Sequence, residues 1–122
     1  MNIYDTAIAR YLTAWNATST AECEEAVAAA WTPEGSYTDP LADVAGHQAL
    51  VQLITAVQGQ FPGFTFRLVG TPDGHHNIAR FSWELVAPDG TAPVAGSDVI
   101  KLDAAGKITE VHGFLDRVPS EV

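Results

Sequence analysis

Asn77-Ile78-Ala79-Arg80-Phe81-Ser82-Trp83-Glu84-Leu85-Val86-Ala87 puts Phe81, Trp83 and Leu85 on one side of the chain and Arg80, Ser82 and Glu84 on the other. A period of two over this length marks a strand with one buried and one wet face. The same period starts at Phe61. Phe64 to Val69 reads as the preceding strand, closed by the turn Thr71-Pro72-Asp73-Gly74. Val94 to Leu102 follows the turn Pro88-Asp89-Gly90, and Lys107 to Leu115 follows Asp103-Ala104-Ala105-Gly106. On the last strand Thr109, Val111, Gly113 and Leu115 share one face. Ile108, Glu110, His112 and Phe114 share the other.

Upstream of Phe61 the period is helical. Ile8, Tyr11, Leu12 and Trp15 form one stripe of a helix over residues 3 to 17. Ser19 and Glu22 make a capping box for a second helix, whose stripe is Cys23, Val27, Ala30 and Trp31. Thr32-Pro33-Glu34-Gly35 ends it, and Ser36 to Asp39 makes a short strand before Pro40. After a loop, Gly46 to Gln60 forms a third helix through Leu50, Leu53, Ile54 and Val57. Helices first and hairpin-linked strands after them is an α+β order. It predicts a cone of three N-terminal helices packed on a curved antiparallel sheet, with a cavity between them.

The 122 residues suit a single domain over 1–122 with one core. A hydrophobic fraction of 47% fits a folded chain. Six Lys plus Arg against 15 Asp plus Glu give a net charge of −9, which repels phosphate backbones and anionic bilayers, so neither nucleic acid nor membrane is an expected partner. The start, Met1-Asn2-Ile3-Tyr4-Asp5, has no basic region and apolar run of a signal peptide, and a cytoplasmic location is expected. Cys23 is alone and falls on an apolar stripe, as a buried thiol does. His47, His75, His76 and His112 have no metal-ligand spacing, and no phosphate loop or dinucleotide fingerprint occurs, so neither metal nor cofactor is expected.

Three polar residues stand out against this apolar pattern. Asp98 alternates onto the face of Ile100 and Leu102. An ionised, unpaired carboxylate there costs several kcal/mol. It escapes by staying protonated, by pairing, or by reaching the wet mouth of the cavity. Tyr11 is either a core tyrosine bonded to a carbonyl or a donor into the cavity. Asp39 is either a turn-stabilising residue ahead of Pro40 or a carboxylate at the exit of its strand. A tyrosine and two aspartates aimed into one apolar cavity would form a proton-transfer site without a cofactor.

Ala9-Arg10-Tyr11, Gly35-Ser36-Tyr37-Thr38-Asp39-Pro40, Gly46, Ser97-Asp98-Val99-Ile100-Lys101-Leu102-Asp103 and Gly106-Lys107-Ile108 together resemble the ketosteroid isomerase branch of the nuclear-transport-factor-2-like superfamily. The SnoaL-like polyketide cyclases belong to the same superfamily. The resemblance covers nearly the whole chain and implies the cystatin-like cone. It implies Asp39 as general base, Tyr11 as oxyanion-hole tyrosine and Asp98 as a protonated oxyanion-hole acid. Trp15, Phe81, Trp83, Leu85, Val111 and Leu115 would then be the walls around a small hydrophobic carbonyl compound, which the site would isomerise or cyclise. Trp31 and Ile54 stand where that isomerase has two supporting tyrosines. The resemblance also implies a homodimer through the outer sheet face, which carries Ile108, His112 and Phe114. Two other classes remain open on the same fold: a small-molecule-binding domain without catalysis, and a dimerisation module.

Overall fold

The computed structural model describes residues 2–119. Three helices lie on one face of a six-stranded sheet: α1 (Ile3–Trp15), α2 (Thr20–Ala30), β1 (Trp31–Asp39), β2 (Ala42–Ala45), α3 (His47–Gln60), β3 (Thr65–His75), β4 (Ile78–Val86), β5 (Val94–Leu102) and β6 (Ile108–Arg117). The strands run in the order β2-β1-β6-β5-β4-β3. The α+β class stands. The sheet, however, is mixed and not wholly antiparallel, because β1 pairs with β6 in parallel. The first long strand and the last are neighbours, so residues far apart in the chain meet at the centre of the sheet.

Local chemistry accounts for the helix starts. The Asn2 side chain accepts from the Asp5 amide at 2.8 Å, and Ser19 Oγ accepts from the Glu22 amide at 3.1 Å. Glu22 reaches back to the amide and hydroxyl of Thr18. Gly46, at φ +91°, enters α3 in a conformation that favours glycine. No helix among the described residues is long and apolar enough to cross a membrane.

Several boundaries differ from the sequence expectation. The chain enters β1 directly at Trp31 instead of ending α2 in a loop at 32–35, and β1 wraps the buried Trp31 indole so closely that a Cβ at Gly35 would lie 2.5 Å from it. Residues 42–45, expected as loop, pair with β1 as β2. The run Thr71-Pro72-Asp73-Gly74 is not a turn. It lies within β3, where the register shifts between Val69 and Asp73. β3 is an edge strand, and at such an irregularity the amide that Pro72 lacks is not missed. The hairpin closes instead at His76-Asn77, with His76 at φ +49°.

Ile108 also departs from simple alternation. Lys101 pairs with Glu110 but Leu102 with Ile108, so the register slips at Thr109. The slip turns Ile108 inward, where it is fully buried, and removes it from the outer face. His112 and Phe114 remain outside, Phe114 with 60% of its surface exposed.

Candidate active site

Asp98 sits on the inner face of β5, opposite Phe81 of β4 and Gly113 of β6. Only 1% of it is exposed. The Tyr11 hydroxyl donates to its Oδ2 at 2.5 Å and the Trp83 indole N–H to its Oδ1 at 3.1 Å. The Trp83 contact depends on a cross-strand glycine. Gly96 pairs with Trp83, and a Cβ there would collide with the Trp83 ring. With no side chain at 96 the indole lies across β5 and reaches two residues along it. Burial pushes the Asp98 carboxyl up to about 6, against the pull of the Tyr11 and Trp83 donors and with a further push from the Asp39 charge. The raised value brings Asp98 closer to protonation at neutral pH than an ordinary carboxyl, in the direction the sequence suggested.

Tyr11 projects from α1 into this cluster and packs edge-on against Phe81 at a centroid distance of 5.5 Å. Burial, and then the Asp98 charge, push its hydroxyl well above the ordinary range. Tyr37 of β1 stands beside it, close enough for the two hydroxyls to interact. Burial and then the Asp98 charge raise Tyr37 as well. Its hydroxyl donates to Asp39 Oδ2 at 2.7 Å. Asp39 Oδ1 accepts from the amides of Leu41 and Ala42, each at 2.8 Å. Asp39 therefore ties the turn into β2 and also presents its carboxylate to the interior.

These groups border a cavity of about 220 Å³ between the helices and the sheet. Tyr11, Tyr37 and Asp39 form its polar wall. Trp15, Trp83, Leu85 and Leu115 line it as the sequence suggested, and Phe66, Val57 and Phe61 join them. Phe81 and Val111 do not. Phe81 props Tyr11 from behind, and Val111 lies fully buried in the core. Asp98 is likewise behind the wall, where it holds Tyr11 and Trp83 and touches no cavity space. Among the described residues no cluster of His, Cys, Asp or Glu is arranged to hold a metal ion.

Tyr37 is the polar residue that sequence reasoning passed over. Its signal was present in Tyr37-Thr38-Asp39, where a period of two puts it on the face of Asp39. It stands beside Tyr11, against which Trp31 also packs at a centroid distance of 5.4 Å. Trp15 was read from the sequence only as an apolar wall. Among the described residues its Nε1 is a buried side-chain donor with no hydrogen-bond partner. A donor left so costs about 1–3 kcal/mol.

The sequence model of the SnoaL-like domain matches residues 8–111. The chain belongs to the SnoaL-like family. A proposed isomerase of that family from Agrobacterium tumefaciens str. C58 is 42% identical, with a TM-score of 0.90 over 95% of this chain and 99% of that one. A proposed SnoaL-like polyketide cyclase from Jannaschia sp. CCS1 shares the fold at 13% identity, with a TM-score of 0.73 over 93% and 85% of the two chains. A de novo designed protein with a curved β-sheet does so at 11% identity, with a TM-score of 0.71 over 95% and 88%. No curated protein matches. A shared fold does not by itself fix a chemistry. Any chemistry must come from the side chains in the cavity.

Proposed function

We propose that this SnoaL-like protein transfers a proton within a small hydrophobic carbonyl compound, isomerising or cyclising it without a cofactor. The observation that carries the reading is a carboxylate, Asp39, in the wall of an apolar cavity beside the Tyr11–Asp98 pair. Asp39 takes a proton from the carbon next to the carbonyl. The C–H electron pair becomes the enolate double bond, and negative charge moves to the oxygen. Where the compound carries a β,γ double bond the enolate is a dienolate, and Asp39 returns the proton at its γ carbon as the double bond shifts into conjugation and the oxygen's charge re-forms the carbonyl. With Asp98 ionised, the Tyr11 proton points at Asp98. A proton on Asp98 Oδ2 reverses that bond and frees the Tyr11 hydroxyl for the enolate oxygen. Because burial raises Asp98 to about 6, protonating it at pH 7 costs only on the order of 1 kcal/mol.

The cavity is smaller than the roughly 300 Å³ at which pockets for drug-sized ligands begin. A one- or two-ring ketone is the fitting size, not a steroid. The test is hydrogen exchange of 2-tetralone, whose C1 hydrogens are acidic, in heavy water. Wild-type protein should accelerate the exchange and Asp39→Asn should not.

A second reading has its own observation. Both Asp39 oxygens already accept hydrogen bonds, from the Tyr37 hydroxyl and the Leu41 and Ala42 amides, as a purely structural carboxylate does. A cavity that binds 2-tetralone yet exchanges it equally slowly with wild type and Asp39→Asn is a receptor. For assembly, we propose a homodimer through the outer sheet face around His112 and Phe114, now without Ile108.

A further inference from the structure

Four buried aromatic side chains on the cavity wall carry hydrogen-bond donors: Tyr11, Tyr37, Trp83 and Trp15. Three are spent. Tyr11 and Trp83 donate to Asp98, and Tyr37 donates to Asp39. The indole N–H of Trp15 alone among them is uncommitted. It faces the Tyr11 hydroxyl closely enough to favour charge on that oxygen, yet makes no hydrogen bond to it. The Trp15 ring is fixed by Tyr37 and Phe66, at centroid distances of 5.5 and 5.2 Å, so its donor is held in place. Among the described residues the lining includes no Lys, Arg or His to balance the charge of Asp39.

We propose that Trp15 Nε1–H is the resting site's anchor for the ligand's oxygen, and that the cavity selects neutral carbonyl compounds over anions of the same shape. The inference deepens the proton-transfer reading by naming the ligand's charge and its first hydrogen bond. Trp15 Nε1 is itself closed to solvent, so a carbonyl oxygen that opens the Tyr11–Trp15 corner satisfies this idle indole donor without displacing the bonds to Asp98 and Asp39. A hydrocarbon of equal size leaves the donor idle. A carboxylate meets Asp39 with no cation to offset the repulsion.

The experiment compares three probes of similar shape: 2-tetralone, tetralin and tetralin-2-carboxylate. Binding is followed through the indole N–H signals of the ¹⁵N-labelled full chain. The Trp15 indole proton should move downfield with 2-tetralone and stay nearly still with tetralin. The carboxylate should bind at least tenfold more weakly than the ketone. Trp15→Phe should weaken 2-tetralone about tenfold, the loss of one hydrogen bond, while tetralin changes less than twofold. An indole signal unmoved by bound 2-tetralone overturns the assignment, since the N–H then serves Tyr11. Equal losses for ketone and hydrocarbon overturn it too, as does failure of 2-tetralone to bind. The wild-type signal decides even where Trp15→Phe folds poorly. A downfield shift without hydrogen exchange would leave this inference standing and remove the catalytic reading; exchange without the shift would do the reverse.

Discussion

Gly113 faces Asp98 across the β5–β6 ladder, and a Cβ on it would lie 2.9 Å from Asp98 Oδ1 and 3.4 Å from the Cβ of Asp39. The missing side chain is the space in which two carboxylates on non-adjacent strands share one interior. Each of the two stations is then held by a tyrosine, Tyr11 on Asp98 and Tyr37 on Asp39.

Gly113→Ala should therefore act on the site and not only on the strand. The added methyl presses on a carboxylate that is locked by two donors and cannot turn away. Overpacking of this kind costs about 1–3 kcal/mol. Urea unfolding should show that loss. The Tyr11–Asp98 bond should weaken, visible as a shift of the Tyr11 ring signals.

Asp98 gives stability a pH dependence of known sign. Its folded value of about 6 lies above the ordinary 3.8, so the folded state holds more protons than the unfolded state between those limits. Stability should fall as pH rises from about 4 to about 6 and level off above, a loss on the order of 3 kcal/mol from this group. Asp98→Asn keeps an acceptor for Trp83 and can donate to the Tyr11 oxygen. It should match wild type near pH 4, lose the decline, and be the more stable protein at pH 7. Denaturant melts at the two pH values check it; an unchanged slope in the variant would assign the decline to other groups.

Tyr11→Phe removes one of the two donors to Asp98. The carboxyl should then titrate above its present value of about 6, which carboxyl carbon NMR reads directly. In the 2-tetralone exchange assay the same variant should be about tenfold to a thousandfold slower, as other deletions of oxyanion donors are. A variant that titrates higher but exchanges as fast as wild type would place Tyr11 outside the reaction.

The outer face tests the assembly. Phe114, 60% exposed, stands across from Ser97 on neighbouring strands. Sedimentation at micromolar concentration should show a dimer for wild type and a monomer for Phe114→Arg, with the 2-tetralone affinity of the cavity unchanged. A wild-type monomer, or a dimer indifferent to the substitution, rejects this face.

The amino-acid sequence alone determined whatever rests on neighbours along the chain. The stripes of α1 and α3, the cap at Ser19, and the alternation of β4 and β5 are read within a few residues. So was the anomaly of Asp98, because an acid among Ile100 and Leu102 breaks a local period. Tertiary structure decided the rest. Nothing near Tyr37 in the chain announces that β1 will lie parallel to β6, which brings Tyr37 beside Val111 and Asp39 near Gly113. The slip at Thr109 turned Ile108 inward, since register depends on which partner strand offers space. That Asp98 meets Tyr11 and Trp83, and that the buried Trp15 indole keeps an idle donor among the described residues, follow from contacts spanning up to 87 residues. A period in sequence tells which way a side chain points. Which donor or charge it then finds depends on strands and helices brought together from elsewhere, and that partner sets both its protonation and its use.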